Sequence, residues 1–253
     1  DPRVVMDVQV PAGANLDADS GQMVVVGIDR WPTANRGPVG HVLEVLGRLD
    51  DPGVDTTLII RKHRIPDEHD ASAVAESRRL GHAIRPRDRQ GRTDFLAFPT
   101  VTIDGETARD FDDAITIKTL PNGNYWLGVH IADVAHYVKA GSALDESAHR
   151  RATSVYFPER ALHMFPAPLA TGLCSLKPGV DRLVQSCLME IDGRGEPVRY
   201  EFHDGVIRSD FRMTYTEVDA ILTAQDPATR NRYSTLVPMF ELMDTVSRRL
   251  KAR

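Results

Sequence analysis

The stretch that decides the reading of this chain is TVTIDGETARDFDDAI, residues 100–115. It starts as a strand, Thr100 to Ile103, and then turns acidic. Asp104, Asp110, Asp112 and Asp113 fall within ten residues, with Arg109 as the one base among them. Four carboxylates that close repel one another unless a cation lies between them, and hard divalent ions such as Mg²⁺ take oxygen ligands of this kind. Acidic runs are ordinarily solvated faces. This one is interleaved with Ile103, Phe111, Ala114 and Ile115, which predicts a half-buried segment, and a buried carboxylate has to be paired or bound to metal. The spacing does not fit an EF-hand loop, which needs alternating acids, a central glycine and a closing glutamate.

Immediately downstream, Ala114 to Leu120 reads as a second strand and Tyr125 to Val134 as its partner, joined through Pro121-Asn122-Gly123-Asn124. Asn-Gly is the strongest short hairpin signal. A two-residue turn on Asn122-Gly123 pairs Ile115 with His130, Asp113 with Ala132 and Asp112 with Asp133. That register carries Asp133, and with it His130, towards the acids as supporting residues. A single bulge would shift it, and a histidine in a strand is more often an ordinary sheet residue.

Further on, Thr153 to Pro158 is an aromatic strand ended by proline, and Arg208 to Met213 continues the sheet. Thr214-Tyr215-Thr216-Glu217 fits a helix capping box. Leu236, Phe240, Met243, Val246 and Leu250 recur at helical spacing. They predict an amphipathic final helix whose apolar face has no partner left in the sequence after it.

Upstream, residues 1–65 read as short strands, Val24 to Ile28, Val39 to Leu46 and Thr56 to Ile60, separated by turn-rich pieces. That spacing suggests a small OB-type barrel. Residues 66–94 form a connector with a weak helix at Ala71 to Leu80, closed by Gly81. Two basic clusters flank it: Arg61 to Arg64, and Arg85, Arg87, Arg89 and Arg92. Such clusters are ordinarily solvated, but their position suits tracking of a phosphate backbone. The third region, 95–253, is α+β.

Composition excludes several classes. The 253 residues include no apolar run long enough to span a membrane, and no basic-then-apolar leader pattern. Two cysteines, Cys174 and Cys187, do not make a disulfide framework and lack zinc-site spacing; a reducing, cytoplasmic setting is expected. The net charge of −5 argues against a uniformly basic nucleic-acid binder, not against a local channel.

Five ordered blocks, DGETARDFDDAI (104–115), HIADVAHYV (130–138), RATSVYFPER (151–160), GLCSLKPGVDRL (172–183) and MTYTEV (213–218), resemble the catalytic domain of the ribonuclease II/ribonuclease R (RNB) family. VVVGIDRWPTANRGPVGHVLEVLG (24–47) is similar to the second cold-shock, OB-fold domain that precedes it there. The resemblance implies an OB barrel followed by part of the catalytic domain. The implied activity is Mg²⁺-dependent hydrolysis of single-stranded RNA from the 3′ end, releasing nucleoside 5′-monophosphates. It implies that Asp104, Asp110 and Asp113 help bind Mg²⁺, that Asp112 is the carboxylate most critical to the chemical step, and that Tyr156 stacks on the 3′-terminal nucleotide.

The family's catalytic domain continues with an arginine that contacts the scissile phosphate and a second base-stacking aromatic, then a C-terminal RNA-binding OB domain. Those patterns do not occur here. The resemblance therefore implies a fragment, or one piece of a split enzyme completed by a second chain. The alternative is a non-catalytic RNA-binding or regulatory module on the same scaffold, against which the intact aspartate set argues.

Overall fold

The structure, a computed structural model, describes residues 6–253, so the expected first domain is seen from residue 6 onward. The described residues divide into two compact units, 6–69 with 151–162, and 70–150 with 163–253. The segment 151–162, expected within the 95–253 region, thus packs with the first unit. The 66–94 connector divides after residue 69, and its helix and second basic cluster belong to the second unit.

In the first unit, β1 (Gln22–Arg30) and β2 (Val39–Arg48) form a bulged antiparallel hairpin. The expected strand at Thr56 to Ile60 is instead part of a helix, α1 (Val54–His63). Its β-branched residues favour a strand, but tertiary context overrides that preference. Asp55 in the first turn and Arg61, Lys62 and His63 in the last complement the helix dipole, and Ile60 is fully buried. Arg61 then pins the helix to the hairpin and the following loop, donating to Glu44 at 2.6 and 3.0 Å and to Asp67 at 2.7 Å. Short strands β7 (Val155–Tyr156) and β8 (Ala161–Leu162) pair with each other. Their segment is held by Arg151 donating to Pro66 O at 2.8 Å and by Thr56 Oγ1 donating to Glu159.

The second unit is built on a seven-stranded mixed sheet. Its strands are β3 (Thr93–Asp94), β4 (Val101–Asp104), β5 (Asp113–Thr119), β6 (Tyr125–Ala132), β9 (Asp181–Ile191), β10 (Pro197–Arg208) and β11 (Phe211–Thr214). Their order is β11-β4-β5-β6-β9-β10-β3, antiparallel except at the β4/β11 and β3/β10 pairs. Helices α2 (Ala71–Arg79), α3 (Val134–Tyr137), α4 (Ala143–Arg151), α5 (Tyr215–Leu222), α6 (Pro227–Arg232) and α7 (Val237–Lys251) complete it. One core joins Phe95, Phe111, Leu144, Leu173, Leu176 and Ile207. The capping box forms as expected: Thr214 accepts from Glu217 N, and Glu217 accepts from Thr214 N, both at 3.0 Å. The final helix is not left without a partner. Phe240 packs with Val101, Met213 and Ile221, and Val246 packs with Ile117, Tyr125 and Ile191 on the sheet.

The hairpin register differs from expectation by one residue. β5 and β6 pair Asp113 with Ile131, Ala114 with His130 and Ile115 with Val129. Pro121 is the reason. Its ring fixes φ near −65°, so it occupies the second position of a turn closed by Gly123 N donating to Leu120 O at 2.9 Å. Gly123 follows in the left-handed region, at φ 83°, making a three-residue loop rather than the two-residue one. Residues directly opposite share a face, so His130 lies with Ala114 and Thr116 in the core and not beside Asp113.

The second basic cluster is largely engaged within the protein. Arg85 binds Asp88, Arg89 binds Asp181, and Arg92 binds Asp133, whereas Arg87 keeps a side chain that is 72% exposed. Those pairs weaken the phosphate-tracking reading of the second cluster.

Candidate active site

The four aspartates converge at the end of β4 and the start of β5. Asp104 is the last residue of β4, Asp113 the first of β5, and Asp110 and Asp112 lie in the loop between. Burial and the charges of Asp113, Asp110 and Asp112 push the Asp104 carboxyl up to about 6, against a smaller opposing pull from Arg212. Asp112 reaches solvent, yet the surrounding protein strips enough water from it, with Asp110 and Asp113 adding repulsion, to raise it to about 6. The His163 ring lies 3.3 Å from Asp110 and pulls Asp112 the other way.

Such mutual raising is the electrostatic signature of carboxylates crowded without enough cation. One oxygen, Asp104 Oδ2, is buried with no hydrogen-bond partner, although a buried carboxylate oxygen normally has one. Among the described residues, no three His, Cys, Asp or Glu side chains are gathered tightly enough to enclose an ion as they stand. Mg²⁺ does not need such a cage, because it keeps several waters and binds through one or two carboxylates. The all-oxygen donor set and the orphaned Asp104 oxygen therefore fit Mg²⁺.

The loop carrying these acids is fixed from long range. Arg212 on β11 donates to Gly105 O and Glu106 O and lies 5.6 Å over the Phe111 ring. Ser175 Oγ donates to Arg109 O at 2.7 Å and accepts from Phe111 N at 3.2 Å. Leu176 N donates to Phe111 O at 2.8 Å, and Ala132 N to Asp112 O at 2.9 Å. Arg212, His163 and Ser175 were not anticipated. Nothing in local spacing marks residues lying some 50 to 110 positions from the carbonyls and carboxylates they touch.

The residues expected to support the acids have other duties. Asp133 caps α3 by accepting from His136 N at 3.0 Å, and pairs with the buried Arg92. His130 is fully buried between Ser186 Oγ at 2.7 Å and Thr116 Oγ1 at 3.2 Å, and burial lowers it to about 4. Arg109 is exposed and acts through its carbonyl. Tyr156, in the first unit, is 62% exposed rather than a core aromatic.

Comparison with known proteins gives the family. An RNB domain matches residues 92–253 and a cold shock domain matches residues 1–70. Ribonuclease R of Thermotoga maritima is 45% identical over 236 residues, covering 92% of this chain and 33% of that protein. Ribonuclease R of Vibrio cholerae is 41% identical over 252 residues, covering 100% of this chain and 31% of the relative. Mycoplasma genitalium RNase R, solved with double-stranded RNA, superposes with TM-score 0.84 at 28% identity over 99% of this chain and 44% of that one. The chain thus spans about a third of the length of these curated relatives. With cold-shock and RNB regions in order and the four aspartates gathered where β4 ends and β5 begins, the chain belongs to the RNB family of exoribonucleases.

Proposed function

We propose that this chain carries the metal-binding half of an active site for hydrolytic 3′-to-5′ degradation of single-stranded RNA, releasing nucleoside 5′-monophosphates. The observation that carries the reading is the crowding of Asp104, Asp110, Asp112 and Asp113 at the junction of β4 and β5, with two of them raised to about 6, in a chain of this family. Asp104, Asp110 and Asp113 would hold Mg²⁺, and Asp112 is the carboxylate on which the chemical step depends. Bound Mg²⁺ would supply charge for the phosphoryl oxygens and lower the pKa of a water.

The protein's own contributions are separable from that. Asp104, Asp110 and Asp113 would contribute by holding that ion. Asp112, open to solvent, has a basic oxygen able to accept a proton from an attacking water. Tyr156 offers an exposed ring on which a terminal base of any identity can stack, an interaction worth ~1–3 kcal/mol per base. A phosphate-contacting arginine, a second aromatic and a C-terminal RNA-binding OB domain would come from the rest of a longer chain or from a companion chain, in the cytoplasm.

Direction and product are tested together. RNA labelled at its 3′ end should release the label at once as nucleoside 5′-monophosphate, while 5′-labelled RNA shortens to a small end product. Internal cuts that release labelled oligonucleotides from the 3′ end would contradict the reading.

A further inference from the structure

The loop 105–112 has no regular secondary structure, yet the proposed metal site depends on the directions in which its aspartates point. A side chain's direction is set by the peptides on either side of it. Around Asp110, both are engaged by one hydroxyl: Ser175 Oγ donates to the carbonyl of Arg109 at 2.7 Å and accepts from the amide of Phe111 at 3.2 Å. Ser175 is itself fully buried and cannot swing away. Its own carbonyl accepts from Arg182 Nε at 2.8 Å, and the same guanidinium holds Gly172 O at 3.0 Å and Asp181 O at 3.2 Å. Arg182 thus ties a buried turn to strand β9, and Ser175 projects from that turn onto the acidic loop.

We infer that Ser175 is a positioning residue for the metal site, bracketing Asp110 through its two flanking peptides and using the Arg182-held turn as its base. The inference rests on the metal-binding reading above. Ser175 touches neither metal nor substrate and acts only by fixing the loop. Groups that orient metal ligands typically change metal affinity by 10- to 100-fold when removed.

The test is Mn²⁺ binding to this chain, with Mn²⁺ as a paramagnetic stand-in for Mg²⁺, measured for the parent, Ser175→Ala, Asp110→Asn, the double variant and Ser186→Ala. Ser186 is equally buried, but its hydroxyl bonds His130 rather than the loop. The expected result is that Ser175→Ala weakens Mn²⁺ roughly tenfold or more, that it adds nothing on top of Asp110→Asn, and that Ser186→Ala leaves affinity near the parent's. Faster exchange of the Phe111 amide in Ser175→Ala should accompany this. Should Ser175→Ala fail to fold, Ser175→Cys keeps the volume with a weaker donor and takes its place. Equal affinity of parent and Ser175→Ala, or an equal loss in Ser186→Ala, would overturn the inference. A parent that binds no Mn²⁺ would overturn the metal reading itself, and this inference with it.

Discussion

His130 should make the second unit acid-sensitive in a measurable way. Its ring is fully buried, meets Ser186 Oγ and Thr116 Oγ1, and lies tilted with its centroid 5.5 Å from that of Phe95. Burial lowers its pKa from the ordinary 6.5 to about 4. Between those values the unfolded chain binds a proton that the folded one does not. The stability contributed by the neutral ring is therefore full above pH 6.5, and it is lost as pH falls towards 4. At 1.36 kcal/mol per unit, the loss between pH 7 and pH 4.5 is about 2.5 kcal/mol. The assay is urea unfolding of the parent and of His130→Asn, followed by emission of Trp126 on β6. Carboxylate titrations are common to both proteins and cancel in the difference. At pH 7 the variant should be the less stable, and the gap should shrink by about 2.5 kcal/mol at pH 4.5. A gap independent of pH would show that His130 can be protonated in the folded state, and would refute the argument.

Other perturbations give separate checks. Asp133→Ala leaves the Arg92 guanidinium, 9% exposed, without its carboxylate; breaking a buried pair this way should cost about 3–5 kcal/mol in thermal or urea unfolding, and Arg92→Ala in the same chain should recover part of it. Thr214→Ala removes the acceptor for Glu217 N and should cost about 1 kcal/mol, read as a lower urea midpoint with an unchanged slope. Gly123→Ala forces a Cβ into a left-handed backbone and should lower stability by about 1 kcal/mol without altering RNA cleavage.

Much of this was legible locally and little of it at long range. The capping box at Thr214 and Glu217 and the acidic run were visible because their partners lie within a few residues. The hairpin was visible from Asn122-Gly123, but its register was not, since Pro121 took a turn position that the dipeptide alone does not reveal. The helix α1 was missed because Thr56 to Ile60 carries strand-forming residues, while the ion pair of Arg61 with Glu44 spans separate elements. The long β9/β10 hairpin (Asp181–Ile191, Pro197–Arg208) escaped although Val198, Tyr200 and Phe202 alternate with Arg199, Glu201 and His203 in the period-2 pattern of a strand. At the site, the four carboxylates could be read from spacing. Arg212, His163 and Ser175, which shape their field and backbone, could be found only once the sheet brought them there.

We propose that these carboxylates drive metal-dependent RNA hydrolysis through Asp112. The most direct measurement is degradation of a 5′-labelled single-stranded RNA in Mg²⁺ and in EDTA, by the parent chain and by Asp112→Asn, each also supplied with the remaining family domains as a separate chain. The predicted result is Mg²⁺-dependent shortening to a small labelled end product by the parent and none by Asp112→Asn, with RNA binding unchanged. Shortening that persists in EDTA, or that proceeds equally in Asp112→Asn, would contradict it.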